Sequence, residues 1–239
     1  MRKKILGFFL IFLIGILFVC IWFGTMYLPH NAYLLSALPD LTMTSKITLP
    51  TAEIFAYRKI PSSVLEKMMG NSIPDKGTVD ISKLSYLTIT YWGFDEKAHI
   101  GEMIVHTGLA QEVLDIFVEV YDQQYPIEKM KLIDEYGAND ELSMADNNTS
   151  AFCYRAVANT NKLSKHSTGR AIDINPLYNP YVVKNAVLPV NSESYLDREL
   201  SQKGMIHQGD ALYNAFIKRG WTWGGNWATQ KDYQHFDKR

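Results

Sequence analysis

The sequence predicts an α+β domain, a small and mainly antiparallel sheet with packed helices, preceded by an N-terminal transmembrane helix. Three observations predict it. Strand-like and helix-like stretches mix along residues 51–239 without the regular alternation of a parallel sheet. Apolar residues make up 47% of the chain and aromatics 13%, ample for a packed core. An uncharged run from Ile5 to Leu28 follows three cations, Arg2, Lys3 and Lys4.

That run defines the first element. As a helix its 24 residues would span roughly 36 Å, more than the ~30 Å of a bilayer's hydrocarbon core. A cleaved signal is usually shorter and ends in small residues, whereas Val19-Cys20-Ile21-Trp22-Phe23 stays bulky. An uncleaved anchor over residues 1–29 is therefore the first reading, and cleavage after a long signal the second. Lipoprotein processing at Cys20 fits poorly, because Val19 stands where a small residue is expected. The N-terminal cations belong on the cytoplasmic side, which puts residues 30–239 outside the cell membrane as a single-pass protein. Residues 30–50, weakly periodic and bearing Pro39 and Pro50, read as a stem; 51–239 reads as one domain.

Within that domain Leu84 to Trp92 alternates as a strand, with Tyr86, Thr88, Thr90 and Trp92 on one face and Leu87, Ile89 and Tyr91 on the other. Gly101 to His106 reads as a second, short strand. Leu109, Val113, Ile116, Phe117, Val120 and Tyr121 recur at helical spacing, predicting a helix over 109–124 that stops before Pro126. Lys129 to Ile133, Phe152 to Ala156 and Ala171 to Ile174 are further strand candidates. Asp210 to Arg219 reads as a helix with Leu212, Ala215 and Phe216 inward and Gly220 just past its end.

Composition excludes some functions. With 24 basic and 25 acidic residues the net charge is -1, which gives no electrostatic reason to propose nucleic acid as a partner. Only Cys20 and Cys153 are present, one in the apolar run and one deep in the domain. The two are not expected to pair in a disulfide framework, and one thiol in each place excludes a thiolate zinc site, so any metal must be held by histidines and carboxylates.

The segment from Ser164 to Asn175, S-K-H-S-T-G-R-A-I-D-I-N, carries the chemistry. A turn at Thr168-Gly169 followed by a strand lets His166 and Asp173 reach one metal. Asp173 stands between Ile172 and Ile174, where a carboxylate is costly unless it meets a cation. Near the C-terminus, Asp232-Tyr233-Gln234-His235-Phe236 adds an imidazole and a second carboxylate. Two histidines and one aspartate with a fourth position open make a catalytic rather than a structural zinc set, which leaves Asp232 as a general base. His99, His106 and His207 taken singly read as ordinary surface or core histidines.

Together, S-x-H-x-x-G-x-A-x-D, the later G-W-x-W-G-G-x-W and D-x-x-H-F resemble the zinc-dependent D-alanyl-D-alanine carboxypeptidase family. That family also includes phage-lysin L-alanyl-D-glutamate endopeptidases and vancomycin-resistance dipeptidases. The resemblance covers roughly residues 80–239, with Tyr154-Arg155, Asn175 to Pro180 and Trp221 to Trp227 among the matching positions. It implies a DD-peptidase-like fold, one Zn2+ held by His166, Asp173 and His235, and hydrolysis of peptidoglycan stem peptides. It further implies Asp232 as the catalytic carboxylate, Arg155 as the group facing the substrate carbonyl and its oxyanion, and Ser164 as a substrate contact. Asp rather than Glu at 232, with the D-x-x-H-F ending, leans toward the endopeptidase-like branch and leaves the cleaved bond open. Trp221, Trp223 and Trp227 either wall the substrate groove, with Gly224-Gly225 letting backbone approach the peptide, or pack in the core. Asn179-Pro180-Tyr181 reads as a structural loop, and Asn147-Asn148-Thr149 as a surface turn.

The rival from another class is a non-catalytic wall-binding or signalling module that retains the zinc fold; Arg155 and Asp232, which such a module would be expected to lose, are both present. An amidase cutting the sugar–peptide link would share the donor types but not the spacing. The partners expected are wall peptides and, through the N-terminal helix, the cytoplasmic membrane.

Overall fold

The computed structural model describes residues 53–74, 79–157, 160–184 and 186–239. The anchor at 1–29 and the stem at 30–50 lie outside the described residues. Among the described residues no helix is long and apolar enough to cross a membrane.

In chain order the elements are β1 (Phe55–Arg58), α1 (Ser62–Met68), β2 (Leu84–Gly93), β3 (Ala98–His106), α2 (Ala110–Asp122), β4 (Pro126–Ile127), β5 (Lys129–Met130), α3 (Asp140–Ala145) and β6 (Asn148–Thr149). Then follow β7 (Ala171–Asp173), β8 (Tyr181–Val183), β9 (Ala186–Leu188), α4 (Ala211–Ile217), β10 (Thr222–Trp223), β11 (Lys231–Asp232) and β12 (His235–Asp237). The α+β class holds, but the strands form several small sheets rather than one. Antiparallel β1-β2-β3 makes the largest, with β4 added parallel to β2. Two three-stranded antiparallel sheets, β10-β12-β7 and β11-β8-β9, carry the C-terminal motifs, and β5-β6 is a parallel pair.

Helix α2 explains the core. Its Val113, Leu114, Ile116, Phe117 and Val120 are buried in one cluster with Leu87 and Ile89 of β2, Met103 and Val105 of β3, and Leu212, Ala215 and Phe216 of α4. Phe117 meets Phe216 edge-on at 6.4 Å between ring centroids, and Phe216 stacks on Phe236 of β12 at 4.2 Å. Each such aromatic pair adds about 0.5–1.5 kcal/mol beyond its buried area. A smaller cluster of Met68, Ile73, Leu84, Tyr86, Ile104, Leu132 and Phe152 sits beneath the N-terminal segment, with Tyr154 against it.

The strand expected over Leu84 to Trp92 is present as β2, and it is buried on both faces, at Tyr86 and Thr90 as well as at Leu87 and Ile89. Two strand expectations need correction. Residues 129–133 form only the two-residue β5, after which Ile133–Tyr136 turns as a 3-10 helix. Residues 152–156 join no strand, because their backbone groups go to unrelated partners. Phe152 donates to the Ile104 carbonyl, Cys153 to His166 and Tyr154 to Ser72. The 109–124 helix is tighter than expected, a 3-10 turn over Thr107–Leu109 leading into α2.

Asn147, Asn148 and Thr149 are not a surface turn; all three are buried. The Asn148 side chain accepts from Lys131 N at 2.8 Å and donates to Ser143 Oγ at 3.0 Å, tying β5, β6 and α3 together. Asn179 does belong to a structural loop. Its amide donates to the carbonyls of Ile174, Asn175 and Gly204, and its oxygen accepts from Ile206 N and Arg198.

Candidate active site

The site begins with a turn. Lys165–Thr168 is a 3-10 helix whose N-cap, Ser164, accepts from His166 N through its hydroxyl at 3.3 Å. Gly169 ends it at φ 65°, where a Cβ would lie 2.5 Å from the His106 backbone nitrogen, so a side chain is excluded by both conformation and space. The chain then runs as β7, which pairs antiparallel with β12 so that Asp173 stands opposite His235 and Ile172 opposite Phe236. Strand alternation does the rest. Phe236 points into the aromatic stack, so His235 and Asp237 point the other way, toward the site. Asp173 is locked further by an exchange of backbone bonds with Ser150 at 2.9 and 3.0 Å.

His166, Asp173 and His235 converge, all three buried, with one ligand atom from each within 4.8 Å of the others. His166 Nε2 is 3.2 Å from His235 Nδ1 and 3.2 Å from Asp173 Oδ2, and His235 Nδ1 is 3.0 Å from Asp173 Oδ1. Donors about 2.0–2.1 Å from a tetrahedral zinc stand about 3.3–3.4 Å apart, so the set has the right size. Outer partners fix the rings. His166 Nδ1–H donates to the Ala151 carbonyl at 2.6 Å, which turns the unprotonated Nε2 inward. His235 Nε2 lies 3.5 Å from the Asp237 carboxylate, which turns Nδ1 inward.

The electrostatics of the metal-free chain agree. Burial opposes charge on both partners, but the hydrogen bonds that His235 donates to the Asp173 and Asp237 carboxylates win and push it up to about 10. The two imidazoles likewise overcome burial and hold the Asp173 carboxyl well below the usual range. Three convergent donors, each with its far side already bonded, fit a divalent cation such as zinc.

Asp232 lies on β11, opposite Tyr181 of β8. Its Oδ1 is buried without a hydrogen-bond partner among the described residues. Burial drives its carboxyl up to about 7, with His235 and His166 opposing and Asp173 reinforcing. An orphaned carboxylate oxygen in the motif that supplies a metal donor is the chemistry expected of a base. Arg155 lies beyond the end of the smaller cluster, half-buried, with Nη2 2.7 Å from Asp140 Oδ2 and with Nε buried and unpartnered. Ser164 is buried and its hydroxyl caps the His166 turn.

The tryptophans divide. Trp221 and Trp223 are core residues, their indole N–H groups donating to Glu112 at 2.8 Å and to the Tyr233 carbonyl at 2.8 Å. Trp227 is half-buried with its ring 5.4 Å from that of His235, so it alone of the three borders the donors. Gly224 and Gly225 serve internal packing rather than substrate approach. A Cβ on Gly224 would sit 2.6 Å from the Asp232 carbonyl oxygen, and one on Gly225 would run into the Trp223 ring at 2.4 Å. His99 pairs with Asp95 and His106 lies against Arg170, both away from the donors. Asp140 was missed by the sequence reading. No spacing pattern links it to Arg155, and only the fold brings the two together.

Residues 158–238, about a third of the chain, match the family model described as D-alanyl-D-alanine carboxypeptidase. Comparison with curated proteins found no match, and neither did comparison with solved structures. The matched span holds Ser164, His166, Asp173, Trp227, Asp232 and His235, whereas Asp140 and Arg155 precede it. Over residues 158–238 the chain is similar to the D-alanyl-D-alanine carboxypeptidase family.

Proposed function

We propose that the chain is a zinc peptidase that hydrolyses peptidoglycan stem peptides, as a carboxypeptidase or an endopeptidase, on the wall side of the cytoplasmic membrane. The observation that carries this reading is the convergence of His166, Asp173 and His235, buried and with their lone pairs turned to one point. A zinc ion held there would act as a Lewis acid and lower the pKa of a water bound to it to about 7.

The chain's own groups supply the remaining chemistry. Asp232 takes a proton from the attacking water and delivers it to the departing amine, a role for which its buried and unpartnered Oδ1 is suited. Arg155 donates from its unpartnered Nε toward the carbonyl oxygen that becomes negative in the tetrahedral intermediate. Trp227 lines the approach beside His235. Ser164 acts as a substrate contact by family resemblance, in addition to capping the turn that carries His166. The wall-side location rests on the Arg2-Lys3-Lys4 cluster before the apolar run 5–28, which would tether the domain to the membrane.

The direct test is digestion of purified muropeptides by the zinc-loaded protein, with products identified by mass spectrometry. Release of a terminal D-alanine marks a carboxypeptidase and an internal cut an endopeptidase. Intact muropeptides beside a fully zinc-loaded protein would instead favour the non-catalytic wall-binding module. Protease accessibility of the domain in intact cells tests the location.

A further inference from the structure

We propose that Asp140 is a positioning residue for the reaction: its ion pair with Arg155 holds the guanidinium in the orientation that leaves Nε for the substrate carbonyl. The inference rests on the peptidase reading above and concerns residues outside the matched span.

The two ends of Arg155 are held by different parts of the fold. Its backbone is bound to the metal-site turn, with N donating to Ser167 Oγ at 2.9 Å, and its carbonyl accepting from that hydroxyl at 2.7 Å and from Ser164 N at 3.0 Å. Its guanidinium is bound to Asp140, Nη2 to Oδ2 at 2.7 Å. Without the second attachment a long side chain starting from a fixed backbone would sweep several rotamers. With it, Nε is left buried and free of any acceptor among the described residues. A buried cationic donor without an acceptor is uncommon and points to a ligand that supplies one.

Asp140 is itself well placed to act as a stop. It opens α3, whose N-cap Asn139 accepts from Leu142 N at 3.0 Å. The chain reverses into that helix through Gly137 and Ala138, at φ 60° and 54°. Buried Asn148 then pins the helix through Ser143. The ion-pair partner of Asp140, Arg155, is tied through its own backbone to Ser167, next to His166, so the ion pair is anchored to the turn that carries a donor. The alternative, that Asp140 merely neutralises a half-buried arginine, predicts an effect on stability alone.

A double-mutant cycle on the full-length, zinc-loaded protein separates the two, using a muropeptide that the wild type cleaves. Asp140→Asn, nearly isosteric, is expected to lower kcat about 10- to 100-fold with zinc content and melting temperature kept. Added to Arg155→Ala it should lower the rate no further, because its effect runs through the arginine. Asp140→Glu, which keeps the charge but shifts it, should fold normally and fall between wild type and Asp140→Asn. Independent effects of the two substitutions on kcat, or an unchanged kcat in Asp140→Asn and Asp140→Glu, would overturn the proposal. A second readout needs no turnover. In proton–nitrogen spectra of labelled protein, slowed guanidinium rotation of Arg155 should give separate Nη signals that merge in Asp140→Asn. Merged signals already present in the wild type would sink the proposal even if no peptide is cleaved, whereas separate signals with no cleavage would remove only the peptidase reading.

Discussion

The metal-donor side of the site and the arginine side are built by different means. His166, Asp173 and His235 come from a turn and two paired strands, and each is held from behind, His166 by the Ala151 carbonyl, Asp173 by the Ser150 backbone and His235 by the Asp237 carboxylate. Arg155 comes from a segment that joins no strand and depends for its orientation on Asp140, from a separate helix. The donors must sit within a few tenths of an ångström of their places whether or not substrate is present, because a metal tolerates little misplacement. The arginine must be rigid at one end and open at the other, since its remaining donor serves a group that comes and goes.

Three substitutions and one labelling measurement would break or sharpen that contrast. The largest effect is expected from His166→Ala, which removes a donor outright. Its zinc content by elemental analysis should fall to background and hydrolysis with it; undiminished zinc would displace His166 from the site. Next comes Asp232→Asn, which should keep zinc and fold while turnover falls ~10²-fold or more. Loss of zinc in that variant, partly restored by added metal, would make Asp232 a fourth ligand instead of a base.

A smaller effect tests the backing of the donors. Asp237→Ala frees His235 Nε2 and should weaken zinc affinity about 10- to 100-fold in a chelator competition, with the fold intact. An unchanged affinity would mean that the β12–β7 pairing alone orients the ring. The smallest effect is on the arginine side. Cys153 lies two residues before Arg155, buried, and burial pushes its thiol up to about 12. It should resist alkylation at neutral pH in the native protein and react on unfolding, as read by peptide mass mapping. Rapid native labelling would show that the segment carrying Arg155 opens readily.

Much of the donor side was legible because its determinants are local. His166, Gly169 and Asp173 lie within one turn and the strand after it, and a Cβ at 169 is forbidden by the conformation itself. Asp232 and His235 announced themselves by chemistry, as a carboxylate and an imidazole three residues apart in one short motif. Helices α2 and α4 were legible for the same reason, since a buried stripe must recur at helical spacing wherever the rest of the core lies.

What the sequence did not reveal depends on partners distant along the chain. The division of the tryptophans follows from Glu112 of α2 and the Phe216–Phe236 stack, which draw Trp221 and Trp223 inward and leave Trp227 beside His235. The burial of Asn148 goes with the backbone N–H and carbonyl of Lys131, just past β5, which its side chain satisfies. Residues 152–156 carry a strand-like composition but bond to Ile104, His166 and Ser72 in turn, and no local pattern encodes three unrelated partners. The sequence by itself thus determined which residues could hold a metal and where the amphipathic helices run, because periodicity and turn sterics are short-range. Only the tertiary structure decided what each donor leans on and that Asp140 meets Arg155, because an ion pair forms wherever the fold brings opposite charges together, regardless of sequence separation.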